Sequence, residues 1–133
     1  HRVRFTPLGL AAPKNLPEVG RARLPSNPPT VLYVGRFSDI KGTDVLMEAA
    51  LGVLKADSKV RFHLAGGSPM SPKIDKRWRE RWASLAPEGL RERLHFLGWL
   101  EQDRLREEFE SGAMLIAPSR YETFGFATLE ALF

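Results

Sequence analysis

Cysteine is absent from this 133-residue chain, so it can build neither a disulfide framework nor a thiolate metal site, which suits a reducing, cytoplasmic setting. Histidine is nearly as scarce. His1, His63 and His95 are scattered, with no H-x-x-x-H or H-E-x-x-H spacing and no D-x-D pair, so no bound divalent metal is expected. His63 and His95 each fall inside an apolar run and read as hydrogen-bonded core or sheet histidines. A G-x-S-x-G elbow is also missing, which together with the lack of cysteine removes the common nucleophile signatures. No apolar run approaches the roughly 20 residues that span a bilayer, and the start, H-R-V-R-F-T-P, lacks the apolar stretch of a signal peptide. Repeats and low-complexity tracts are absent as well. Twenty Lys and Arg against sixteen Asp and Glu give only +4, enough to suit an anionic ligand but short of a nucleic-acid binder's basic stripe.

What is present is a chain that should fold. It is 43% hydrophobic, is one domain by length and is long enough to bury a core. It starts at His1 without an initiating Met and stops at Phe133 inside an amphipathic pattern, which reads as a piece of something longer. Val31 to Val34 is a short β-rich run closed by Gly35, and Asp44 to Lys55 shows helical spacing through Val45, Leu46, Ala49, Ala50 and Val53. Val60 to Ala65 is the next strand, broken by Gly66-Gly67-Ser68-Pro69, and a helix follows from Pro72 to Leu85. Leu94 to Leu97, Glu101 to Glu110 and Met114 to Ala117 repeat strand, helix, strand, and a last helix follows Pro118. Short apolar strands alternating with helices specify the α/β class, a doubly wound, Rossmann-like parallel sheet. Residues 30–133 form that domain. Residues 1–29 are a proline-punctuated, irregular lead-in with one candidate strand, Val3 to Phe5. In the second helix Lys73, Lys76, Arg77, Arg79 and Arg81 surround Trp78 and Trp82, which share a face at i, i+4. A solvated helix surface is the ordinary reading of that cluster, and apposition to a membrane the alternative.

Ligands of such sheets bind beyond the carboxyl ends of the strands. Those loops run from Gly35 to Gly42, Gly66 to Pro69, Gly98 to Leu100 and Pro118 to Gly125. The first, G-R-F-S-D-I-K-G-T, is neither a P-loop nor a dinucleotide fingerprint. It carries Arg36 just past the strand and Lys41 just before a helix, with Gly35 and Gly42 supplying the turns. An arginine fork and a lysine point charge match a diphosphate, and helix starts after Lys41 and near Gly125 would offer free N–H groups to the same anion. Each cation could instead pair with Asp39, Asp44 or a surface carboxylate. The terminal segment, S-R-Y-E-T-F-G-F-A-T-L-E-A-L-F, sets Glu122 and Glu130 eight positions apart. A helix from Gly125 stacks Phe126, Leu129, Glu130 and Phe133 on one stripe, so Glu130 falls where an apolar residue belongs and needs donors. Those donors are either internal, such as Arg36 or a backbone amide, or the hydroxyls of a ligand.

Taken in order, G-R-F-S-D-I-K-G, L-A-G-G-S-P, H-F-L-G-W-L and A-P-S-R-Y-E-T-F-G-F-A-T-L-E-A resemble the donor-binding half of retaining glycosyltransferases of the GT-B fold, family 4 type, from about Thr30 to Phe133. Pro7 to Leu10, P-L-G-L, looks like that family's P-N-G-V turn with Leu8 in place of Asn. The resemblance implies a UDP-, GDP- or ADP-sugar as donor, with Arg36 and Lys41 on its diphosphate and Glu130 on its ribose hydroxyls. It implies that Glu122 contacts the transferred sugar as the catalytic-site carboxylate. The stretch Thr123, Phe124, Gly125 and Phe126 would then lie near sugar and phosphates, Gly35 beside them, and backbone near Gly98 to Leu100 at the base. It further implies metal-independent front-face displacement, no cofactor, and an acceptor-binding amino-terminal domain as the partner within the same chain. Two other classes share the architecture: a non-catalytic assembly or regulatory module acting through the Trp78 and Trp82 helix, and a phosphorylase or epimerase.

Overall fold

The computed structural model describes residues 26–67 and 72–132; the lead-in and its candidate strand at Val3 to Phe5 lie outside them. Four strands, β1 (Thr30–Val34), β2 (Arg61–Ala65), β3 (Leu94–Gly98) and β4 (Met114–Leu115), pair in parallel in the order β3-β2-β1-β4. Between them run α1 (Thr43–Ala56), α2 (Pro72–Leu85), the single turn α3 (Glu88–Arg91) and α4 (Gln102–Ser111), and α5 (Phe126–Glu130) follows β4. The doubly wound expectation therefore holds, with α3 added. No long apolar period announces so short a helix, and Pro87 and Gly89 mask it in the sequence.

Chain order explains the layers. From β1 to β3 the sheet grows in one direction, and α1 and α2 pack on one face of it: Phe62 and Leu64 meet Leu46, Ala50 and Leu54 of α1 and Trp78 and Trp82 of α2 in one buried cluster. The chain then returns across the sheet to set β4 beside β1, so a crossover of fixed hand puts α4 on the opposite face. There Glu108 meets His63, whose side chain points away from Phe62 and Leu64. Aromatic rings knit the first face, with Phe37 stacked on Tyr33 at 5.9 Å and Trp82 edge-on to Phe96 at 5.7 Å between centroids.

One expectation needs correction. The buried stripe of α1 is Thr43, Leu46, Met47, Ala50 and Leu54, whereas Val45, Ala49 and Val53 face solvent. Two apolar stripes coexist on this helix, and the one bearing the larger side chains is buried. Trp78 and Trp82 are core residues, with Arg81 lying over the Trp78 ring and Arg79 over Phe96, so the basic residues are a solvated rim around buried indoles. Glu108 is the opposite surprise, an acid of the charged helix that is only 8% exposed, bonded at 2.7 Å to His63 Nδ1. His95 packs its ring 5.1 Å from that of His63, but its Nε2 is buried with no partner among the described residues. Burial, and then the neighbouring His63, hold its pKa below the usual histidine value.

Candidate functional site

The point where strand order reverses, between β1 and β4, is where a doubly wound sheet opens a crevice at its carboxyl end. A cleft of about 490 Å³ sits there. Its walls are the loops after β1, β2 and β3, together with the segment from Ala117 through α5.

The loop after β1 is fixed by its own backbone. Ser38 and Thr43 form a reciprocal knot, with Ser38 N–H donating to Thr43 Oγ1 at 2.8 Å and that hydroxyl donating to Ser38 carbonyl at 3.0 Å. Tyr33, buried beneath, donates its hydroxyl to the Arg36 carbonyl at 2.8 Å, and burial raises its pKa to about 12. Gly42 caps α1 in the left-handed conformation at φ 66°, and a Cβ there would stand 2.1 Å from the Pro118 carbonyl oxygen. Gly35 is not left-handed; the close approach on this side is at Gly66, where a Cβ would meet the Gly35 oxygen at 1.9 Å.

The loop after β4 is stitched to this one by a residue the sequence did not single out. Arg120 forks onto both Asp44 carboxylate oxygens, at 2.6 and 2.7 Å, and also donates to the Asp39 carbonyl at 2.7 Å. Its backbone N–H reaches Ile40 carbonyl at 2.9 Å. The fork holds the Asp44 carboxyl far below the usual carboxylate range. A planar five-donor fork beside an acid in a helix's first turn was the available signal, obscured by the 76 residues between the partners.

Of the predicted site residues, Gly35, Arg36, Lys41, Leu100, Glu122, Gly125, Phe126 and Glu130 all line this one cleft. Thr123 and Phe124 do not; Thr123 is exposed, and Phe124 packs its ring on Phe126 at 4.7 Å. Arg36 is exposed and has no side-chain partner among the described residues. Lys41 is paired, its Nζ 2.5 Å from Glu122 Oε2, and that contact, ahead of the Ser119 hydroxyl and the Gly125 amide, lowers the Glu122 pKa. Glu130 is half-buried rather than enclosed, and among the described residues nothing donates to its carboxylate. Trp99, 64% exposed, stands at the rim with Glu101 and Gln102, none of them singled out in advance.

One expectation fails at the start of α1. Its N–H groups are not free for an anion: those of Lys41 and Thr43 donate to Ser38, that of Gly42 to Asp39, and that of Val45 to the Asp44 carboxylate. Helix-terminal donors are satisfied locally whenever acceptors lie within reach, and here the loop supplies them. At the other candidate start, α5 is five residues long.

Residues 28–133 match the family described as glycosyl transferases group 1. The chain belongs to that family. Within it, this chain is 31% identical to the alpha-D-kanosaminyltransferase of Streptomyces kanamyceticus over 78% of its own length and 25% of the relative's. Against the D-inositol 3-phosphate glycosyltransferase of Acidothermus cellulolyticus it is also 31% identical, over 98% of its length and 31% of the relative's. It thus spans about a quarter to a third of these curated relatives. Its fold is that of the C-terminal domain of GT-B glycosyltransferases. The C-terminal domain of a glycosyl transferase group 1 protein (LpcC) from Francisella tularensis superposes with a TM-score of 0.66 at 22% identity, covering 81% of this chain and 55% of that one. HepE of Anabaena, solved in complex with UDP and glucose, superposes with a TM-score of 0.61 at 23% identity, covering 77% of this chain and 26% of that one.

Proposed function

We propose that this chain is the donor-binding half of a retaining, metal-independent glycosyltransferase that moves a hexose from a UDP-, GDP- or ADP-sugar to an acceptor held by an amino-terminal domain. The observation that carries this is the convergence of Arg36, Lys41 and Glu130 on one cleft at the sheet's switch point. Arg36 and Lys41 bind the diphosphate and take up the negative charge that grows on it as the sugar departs. Glu130, acceptor-only and without an internal donor among the described residues, receives the ribose hydroxyls. Glu122 faces the transferred sugar, Gly35 lets backbone approach the phosphates, and backbone from Gly98 to Leu100 lies at the base.

In this reading the bond between the anomeric carbon and the diphosphate oxygen breaks with its electron pair going to that oxygen. The acceptor hydroxyl adds from the same face and passes its proton to the departing diphosphate. Glu122 and Glu130 are not a glycosidase pair, because that chemistry needs carboxyls flanking the scissile bond and Glu130 is engaged by ribose. In this reading charge neutralisation rests on the two cations. The cytoplasm, where nucleotide sugars would be met under reducing conditions, is the proposed setting.

The complex of HepE with UDP and glucose supports the ligand class. The assembly-module alternative is left with the basic outer face of its helix, since Trp78 and Trp82 are buried. Calorimetric titration of the full-length protein with UDP, GDP and ADP tests the proposal. One of them binds, and Arg36→Ala weakens it about ten- to hundred-fold, the worth of a charge-assisted contact. Absence of binding by all three, or an unchanged affinity in Arg36→Ala, overturns it; turnover with inorganic phosphate or donor alone would favour a phosphorylase or epimerase.

A further inference from the structure

The cleft does not present itself to an anion as a cationic hollow. Two cations line it, Arg36 and Lys41, against three carboxylates, Glu101, Glu122 and Glu130. One of those cations is already taken, because Lys41 Nζ and Glu122 Oε2 are 2.5 Å apart, with side chains 22% and 40% exposed. Only Arg36 is left without a partner among the described residues. Resting on the donor-site reading above, we propose that Glu122 is an internal competitor of the diphosphate for Lys41, and that the sugar of the intact donor is what releases it.

The two partners differ in freedom. Glu122 is held by its own loop: Ser119 Oγ stands 3.4 Å from Oε2, and the Gly125 amide donates to it. Lysine carries its charge on a flexible four-carbon stem. When a diphosphate enters, Lys41 is the group that moves and Glu122 the one left with a lost donor. An intact nucleotide sugar brings hydroxyls that can replace the lost ammonium as donors to Glu122. A free nucleoside diphosphate has only its ribose hydroxyls, which go to Glu130, and adds a further negative charge beside Glu122. The exchange therefore favours donor over spent nucleotide, which keeps the product from blocking the site.

Glu122→Gln separates the ideas, since the amide keeps the shape and the Ser119 contact while giving up the ion pair. The full-length protein is titrated with UDP, GDP and ADP and with their glucose conjugates, alone and in a Lys41→Met background, and thermal melts report folding of each variant. Glu122→Gln is expected to tighten the free diphosphate about two- to five-fold, the scale of an exposed ion pair. The glucose conjugate should gain less or lose, and the diphosphate gain should shrink in Lys41→Met. If Arg36→Ala weakens binding but Glu122→Gln tightens nothing, the competition is overturned and the donor site stands. An equal gain with and without Lys41 also overturns it, because Glu122 then acts through its field alone. If no diphosphate binds any variant, the donor-site reading falls and takes this inference with it.

Discussion

Replacing Gly42 by alanine adds one methyl group, and the surroundings set its effect. At φ 66° an L-residue is left-handed, which costs roughly 1–2 kcal/mol. The methyl would also lie 2.1 Å from the Pro118 carbonyl oxygen, so that backbone must retreat by at least an ångström to reach ordinary contact. Pro118 leads directly into Arg120, whose N–H bond to Ile40 at 2.9 Å closes the two loops on each other. Losing that bond adds roughly 0.5–1.5 kcal/mol, so the total destabilisation is about 1.5–3.5 kcal/mol. The same mutation at Gly52, mid-helix in α1 with open space around the added atom, should stabilise by about 0.5–1 kcal/mol. Urea unfolding of both variants reads the two numbers side by side, and nucleotide titration of Gly42→Ala reads the displacement of Glu122 from Lys41. A neutral Gly42→Ala, or effects of the same sign at both positions, would refute the account of how these loops are joined.

Two further outcomes follow from other parts of the fold. Asp44 is held below its ordinary pKa by Arg120, so the pair's contribution is complete above the usual carboxylate value of 3.8 and is lost as pH falls below it. In acid titrations, Asp44→Asn should therefore weaken the protein at neutral pH and lose less than wild type below about pH 4; parallel acid limbs would contradict the fork. Trp82, 1% exposed, should cost about 3–5 kcal/mol as Trp82→Ala by urea unfolding. Trp82→Phe should cost far less than that, because the indole N–H has no partner to lose among the described residues.

Much of the fold was legible because burial imposes periods. The runs at Val31 to Val34 and Val60 to Ala65 lie within one residue of β1 and β2, and the helix from Pro72 to Leu85 is α2. Periods tell less where two apolar stripes share a helix, as in α1, or where an element is a single turn, as in α3. The burial of Glu108 was invisible for a related reason: only the crossing of α4 over β2 brings it to His63. In the cleft, the loops were readable from strand ends, and loop position, the terminal helix stripe and the family resemblance together named ten residues, eight of which line it. Arg120 was not.

By itself the sequence determined where strands end, which side chains stand on the loops that follow, and through its ordered motifs which family they belong to. These are local properties, set by composition and spacing along the chain. Only the tertiary structure decided who pairs with whom: Lys41 with Glu122, Arg120 with Asp44, and the N–H groups of α1 with their own loop instead of an anion. The two ion pairs depend on distances across 76 to 81 residues of chain, and the return of β4 beside β1 is what closes those distances.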